Sequence, residues 1–140
     1  MALGIYLLTL APTITWRNNG ADSGDLVSAA LTLGIPHPTG YPLFTIFAAI
    51  LSHMPFGEPA KNVSAFSALA SAGAVSLISH AGRKLIPNST PLARWIPPSL
   101  ALAFAFAPAL WSQATIAEVN ALAILLVAAL FAVLFSDSPN

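Results

Sequence analysis

Apolar residues fill long stretches of this chain, and polar residues interrupt them at a few points. Residues 1–16 hold no charge and are mostly apolar. Polar residues follow at Arg17-Asn18-Asn19-Gly20. A 62–82 run is rich in small residues (Ser64, Ala65, Ser67, Ala68, Ala70, Ser71, Ala72, Gly73, Ala74), the composition of a close helix–helix contact. Arg83-Lys84 ends it. Further apolar runs cover 95–110 and 119–135, separated by the polar gap Trp111-Ser112-Gln113-Ala114-Thr115. A spanning helix needs about 20 residues at 1.5 Å rise. The pattern predicts four membrane spans, 1–16, 62–82, 95–110 and 119–135, the first short and anchored at the interface by Trp16.

The 17–61 segment reads differently. Asp22 stands where a helix N-cap belongs, with Asp25 three residues on, and Leu26 to Leu33 continue the helix. That helix is too short to span. Leu26, Ala29, Ala30 and Leu33 share a face, which suits the interface plane. Gly34 and Pro36 stop it, and Pro36, Pro38, Gly40 and Pro42 forbid regular helix up to residue 42. Residues 41–54 are apolar but short, the length of an interfacial or re-entrant element.

Composition turns this pattern into a membrane protein. Charged residues are 7% of 140, against about 25% in soluble proteins, the hydrophobic fraction is 56%, and mean hydropathy is +0.77. Net charge is zero, so nothing points to nucleic acid. There is no cysteine, which excludes disulfides, thiolate catalysis and cysteine metal sites. No Lys or Arg precedes Arg17, so the first run lacks a signal-peptide n-region and reads as a retained membrane segment, or as the end of a longer one. Arg83, Lys84 and Arg94 share one connection, which the positive-inside rule puts in the cytoplasm. If 41–54 does not cross, 17–61 and 111–118 then both lie outside.

The candidate chemistry collects there. Asp22 and Asp25 sit at i, i+3 on one helical face. Capping and the helix dipole suffice to explain either. The other reading is a carboxylate at the membrane surface that accepts a proton from a substrate hydroxyl. Glu118 opens the last span. It is either a first-turn acid or an acid at membrane depth, which is a functional candidate by default. Trp111 shares its face if the helix starts there. His37, between two prolines, either bonds a loop carbonyl or meets an anion such as phosphate. His37, His53 and His80 lack metal-ligand spacing. Asp22, Asp25 and Glu118 offer oxygen ligands for a hard divalent cation, but the sequence does not demand one. Asn62-Val63-Ser64 and Asn88-Ser89-Thr90 match the glycosylation acceptor pattern, one at a membrane boundary and one in the cytoplasmic connection, and neither is given weight.

The run Asp22-Ser23-Gly24-Asp25-Leu26, then Gly34-Ile35-Pro36-His37-Pro38-Thr39-Gly40-Tyr41-Pro42-Leu43, then Trp111-Ser112-Gln113-Ala114 and Ala117-Glu118-Val119-Asn120-Ala121-Leu122, resembles one membrane family over nearly the whole chain. That family is the protein O-mannosyltransferase-like group once catalogued as a domain of unknown function, placed among the GT-C glycosyltransferases. The resemblance implies an all-α polytopic enzyme in a bacterial inner or ER-type membrane. It implies catalytic acids in outward loops and transfer of a sugar from a polyprenyl-phosphate carrier to a hydroxyl on a protein or glycan, on the outer or luminal face. Asp22 or Asp25 would be the base, with Glu118 assisting from the second loop. Arg17, His37 and Tyr41 would meet the donor, with Trp111 a further substrate-binding candidate. Family members are longer, so these 140 residues correspond to an N-terminal part. The family motif commonly has Tyr near the position of Asn120. Two other classes compete: a transporter or channel subunit, with 34–43 as a discontinuous helix, and a non-catalytic membrane scaffold held by the 62–82 helix.

Overall fold

A computed structural model describes residues 1–86 and 90–136. The chain is all-α, with seven α-helices among the described residues: α1 (Ala2–Leu8), α2 (Ser23–Thr32), α3 (Pro42–Ser52), α4 (Pro59–Leu85), α5 (Ile96–Ala105), α6 (Pro108–Ala114) and α7 (Asn120–Leu134). Single 3-10 turns at Arg17–Asn19 and Ala93–Trp95 precede α2 and α5.

The axis of the fold is α4, which packs against each of the other six helices. Its start is written locally. Glu58 is the N-cap and accepts the Lys61 N–H at 3.0 Å, and Pro59 occupies the first helical position, where its missing N–H costs nothing. Its end carries Arg83 and Lys84, the cations a helix C-terminus favours. At 27 residues it is roughly 40 Å long. It alone among the described residues is both long and apolar enough to cross a membrane. If the bent pair described below counts as one span, there are two.

The other expected spans are shorter or broken. Within 1–16 the helix is only Ala2–Leu8. It ends at Thr9, whose hydroxyl bonds the Ile5 and Tyr6 carbonyls, and Pro12 stands just beyond. Trp16 is 82% exposed. The 95–110 run is not one helix. Its two parts meet at 66°, because Pro108 has no N–H to continue α5 and holds Ala107 extended (ψ 134°). In the last run, α7 has 15 residues, roughly 22 Å. In the 41–54 segment, α3 has 11 residues, roughly 16 Å, well short of the ~30 Å hydrocarbon core.

Two buried clusters flank α4. One joins Leu26, Val27 and Ala30 of α2 to Phe44 and Ala48 of α3, Ala60 and Val63 of α4, and Leu122 of α7. The other joins Tyr6 of α1 to Ala68 and Val75 of α4, Ala101 and Ala105 of α5, and Leu110 and Ala114 of α6. Alanines and serines on α4 let backbones come close, as the small-residue run foresaw. A Cβ at Gly82 would lie 3.1 Å from the Pro97 side chain of α5. Outside these clusters, Leu43, Ile46, Phe47 and Ile50 of α3 and Leu126, Val127, Leu130 and Phe131 of α7 stay exposed. An exposed apolar surface of that extent marks contact with lipid or another protein.

Candidate functional site

The 17–41 segment begins with a backbone that only certain residues allow. Asn18 takes a left-handed conformation (φ 58°), which Asn tolerates. Gly20 is buried, and a Cβ there would collide with the Thr15 carbonyl oxygen. The turn delivers Asp22 to the N-cap position of α2, as the sequence suggests. Its side chain, however, makes no capping hydrogen bond. The hydroxyl of the next residue, Ser23, is buried and donates to the Ala117 carbonyl at 2.9 Å, tying the start of α2 to the 115–119 loop.

At its other end α2 stops one residue earlier than expected. Leu33, not Gly34, takes the left-handed position (φ 52°), and Gly34 N–H returns to the Ala29 carbonyl at 2.9 Å. Gly40 (φ 85°) closes the His37 turn, its N–H donating to the His37 carbonyl at 2.9 Å. That turn aims His37 back at the N-terminal turn of α2.

Asp25 Oδ2 accepts from the His37 backbone N–H at 2.8 Å and lies 2.7 Å from His37 Nδ1. A carboxylate only accepts, so Nδ1 carries the hydrogen and Nε2 is the free face of the ring. Nε2 lies 3.4 Å from the Tyr41 hydroxyl and 3.9 Å from Asp22 Oδ2, and the Tyr41 ring meets the imidazole edge-on at 5.4 Å. The His37 N–H, then the ring, hold the Asp25 carboxyl below the usual carboxylate range. In return the hydrogen bond to Asp25 leads in raising His37 above 6.5, helped by the charges of Asp22, Asp25 and Glu118.

Glu118 meets the opposite surroundings. It is 4% exposed and lies before α7 rather than in its first turn. Its backbone is held by Ser67 of α4, whose hydroxyl accepts the Glu118 N–H and donates to the Glu118 carbonyl, both at 3.2 Å. Ser67 is eight residues into α4, so the site lies roughly 12 Å along that helix. Burial raises the Glu118 carboxyl above its ordinary 4.5 and the Asp22 charge adds to this, opposed by the Val119 N–H.

The remaining predicted residues divide. Arg17 is exposed on the 3-10 turn and lines a hollow of about 380 Å³ with Thr13, Thr15, Asn18 and Thr115. It has no carboxylate within 4.0 Å among the described residues. Trp111 does not share a helical face with Glu118. The Thr115 hydroxyl bonds the Trp111 and Ser112 carbonyls and α6 ends at Ala114, so residues 115–118 turn away. Trp111 instead packs edge-on to Phe106 and donates to the Thr9 hydroxyl at 3.2 Å. His53 bonds its own helix, at 2.8 Å from the Ala49 carbonyl. No group of three or more His, Asp and Glu with metal-binding geometry occurs among the described residues. In the Asn62 tripeptide Ser64 is buried and bonded to the Ala60 carbonyl. Asn88 and Ser89 lie outside the described residues.

Three side chains given no role by the sequence, Ser67, Gln113 and Asn120, complete the site. Asn120 Nδ2 donates to Gln113 Oε1 at 2.9 Å and to Glu118 Oε1 at 3.4 Å, and Gln113 Nε2 donates to the Asn18 carbonyl at 3.2 Å. This chain of amides joins the first polar segment to the second. Ser67 carries no sequence signal beyond its place in a small-residue run. Asn120 is marked by its place beside Glu118 and by standing where the family motif commonly has Tyr.

Residues 22–138 match the family described as the protein O-mannosyl-transferase TMEM260 N-terminal domain. A protein O-mannosyl-transferase TMEM260 from Mus musculus is 40% identical over an alignment covering 56% of this chain and 12% of that relative. The corresponding protein of Dictyostelium discoideum is 42% identical over 50 residues, 36% of this chain and 6% of the relative. The chain thus spans a small part of the curated relatives it matches. No solved structure matches it.

Proposed function

The chain belongs to the family of the protein O-mannosyl-transferase TMEM260 N-terminal domain, and from that premise we propose that it forms the catalytic N-terminal part of a membrane glycosyltransferase. The reaction moves a sugar, mannose by analogy with the relatives' name, from a polyprenyl-phosphate donor to a protein hydroxyl. The four apolar segments 1–16, 62–82, 95–110 and 119–135 cross or line the membrane. The connection carrying Arg83, Lys84 and Arg94 faces the cytoplasm, and the site faces the outer or luminal side.

One observation carries the assignment of roles. Asp25 takes two hydrogen bonds from His37, both on Oδ2, while the Asp22 side chain makes no capping bond and lies 3.9 Å from the free nitrogen of the ring. Asp22 is therefore the base. As the acceptor oxygen attacks the anomeric carbon, its proton passes to the Asp22 carboxylate. The bond from that carbon to the phosphate oxygen breaks, and the electron pair leaves with the polyprenyl phosphate. Asp25 acts through His37, fixing its tautomer and favouring its cationic form. His37 Nε2 and the Tyr41 hydroxyl meet the donor's phosphate, where a cation stabilises the developing charge.

The test is transfer of radiolabelled mannose from polyprenyl-phosphate mannose by the full-length protein in membranes. Asp22→Asn abolishes transfer with the protein still folded. Undiminished transfer by Asp22→Asn, Asp25→Asn and Glu118→Gln, singly and together, would sink the site. Substrate flux across liposomes without sugar transfer would favour the transporter class instead. Cysteines placed at positions 25, 88 and 118 test the orientation: 25 and 118 must label from one side and 88 from the other.

A further inference from the structure

We infer that the hollow between α1, α4 and α5 seats one anionic phospholipid, with its phosphate on Arg83 and His80 and its acyl chains at the Leu69 end. The hollow lies along the second half of α4, away from the acids, and the inference does not depend on the sugar-transfer reading.

The hollow holds about 630 Å³, within the range of small-ligand sites. Its wall on α4 is one helical face. Leu69, Ala72, Gly73, Ser76, His80 and Arg83 follow the three- and four-residue spacing of such a face, and all line it. The facing walls are apolar, with Leu3 on α1 and Pro98, Ala101 and Leu102 on α5. Polarity along α4 rises in one direction. Leu69, Ala72 and Gly73 offer only carbon, Ser76 and Ser79 add hydroxyls, and His80 and Arg83 end the face with an imidazole and a guanidinium. A phospholipid carries the same gradient, from acyl chain through ester to phosphate.

Length agrees with that occupant. From Leu69 to Arg83 the helix rises roughly 21 Å. One leaflet with its headgroups is roughly 20–22 Å deep, half of a 40–45 Å bilayer.

Charge selects the headgroup. No acid occurs on α1, α4 or α5. Among the described residues no carboxylate lies within 4.0 Å of Arg83. The dipole at the end of α4 favours cations at Arg83 and Lys84 alike. It does not account for His80 and two serines earlier on the face that lines the hollow, a lining that Lys84 does not join. Arg94, the third cation at this end, lies over the Trp95 ring at 5.4 Å. A guanidinium takes a phosphate through two parallel N–H bonds, and the imidazole and the Ser79 hydroxyl can each add a donor. Basic pockets between helices on the cytoplasmic side suit anionic headgroups, and this end is the cytoplasmic one in the orientation proposed above.

The test is binding of phosphatidylglycerol to the full-length protein in detergent, read by native mass spectrometry and by the thermal midpoint. Phosphatidylcholine and inorganic phosphate serve as comparisons. Wild type should retain one phosphatidylglycerol in preference to phosphatidylcholine and melt at a higher temperature with it, because a ligand of the folded state stabilises that state. Arg83→Gln combined with His80→Gln should weaken this binding by about tenfold or more, the scale of one lost charge-assisted bond. Lys84→Gln removes a charge next to the hollow but outside it, and should leave binding unchanged. Ser76→Trp fills the hollow, keeps Arg83, and should abolish binding. Equal losses in Arg83→Gln and Lys84→Gln would mean diffuse attraction to a basic end and overturn the site. Phosphatidylcholine bound as tightly as phosphatidylglycerol, or equal protection by inorganic phosphate, would overturn the choice of ligand. Lipid binding that survives Ser76→Trp would mean that another part of the protein covers the hollow, and would overturn the inference as well. Loss of sugar transfer is read separately, in Asp22→Asn, so the two readings fail independently.

Discussion

The first turn of α2, which holds Asp25, and the loop that holds Glu118 present the same functional group in opposite surroundings. Asp25 is solvent-exposed, and two hydrogen bonds from one histidine settle it as an anion. Glu118 is enclosed by α4 and the start of α7, and burial raises its carboxyl above the ordinary range. The two are 93 positions apart in the chain, yet His37 feels both. The difference teaches that position near a helix start does not assign an acid its task. Asp22, at the N-cap, makes no cap, and Glu118, expected in a first turn, lies outside the helix. Partners decide.

Substitutions can break or sharpen this contrast. The largest effect is expected at Asp22. Asp22→Asn should lower sugar transfer by on the order of a hundredfold or more, the scale of a lost general base, without lowering the thermal midpoint, since no cap is lost. Next comes the exposed pair. Asp25→Asn removes the interaction that leads in raising His37, so the imidazole should titrate nearer 6.5 by NMR, and transfer should fall by less than in Asp22→Asn.

Stability should also follow pH in a way that separates the two acids. Glu118 has a raised value, so the folded state binds its proton more tightly than the unfolded chain does. That contribution is complete below about 4.5 and is lost as pH rises through the raised value. Glu118→Gln should flatten this part of a thermal-unfolding profile in detergent. His37, also raised, contributes below 6.5 and loses its contribution as pH rises past its own value. Asp25, lowered, contributes at neutral pH and fails in acid. Smaller still is Ser67→Ala, which removes the side-chain partner of two buried backbone groups and should cost about 1–3 kcal/mol. The smallest effect belongs to Trp111→Phe. It keeps an aromatic ring against Phe106 and loses one bond to Thr9, worth about 0.5–1.5 kcal/mol. Transfer should be unchanged, and a large loss would bring Trp111 back into the site.

Much of this was legible in the sequence because it is local. The all-α class, the start of α2 at Asp22, the break between residues 34 and 42 and the long small-residue helix all follow from short-range rules of capping, proline chemistry and composition. The pairing of the 22–41 and 113–120 segments was legible only through charge parity and resemblance. What stayed hidden depends on distant partners. Ser67 reads as one more small residue until Glu118, 51 positions later, lies on it. Gln113 and Asn120 read as polar punctuation until their amides meet. The tautomer of His37, and with it the choice between Asp22 and Asp25, needed the folded turn.

The 66° break at Pro108 has a consequence far from itself. In an unbroken helix the Ala105 carbonyl would be taken by the amide four residues on. The break sets it free, and the buried Tyr6 hydroxyl takes it at 2.7 Å, from 99 positions away. A proline that ends one helix thus supplies the socket for another. Its loss would show first as a loosened N-terminal helix, detectable as faster amide exchange at Tyr6, rather than as a straightened α5.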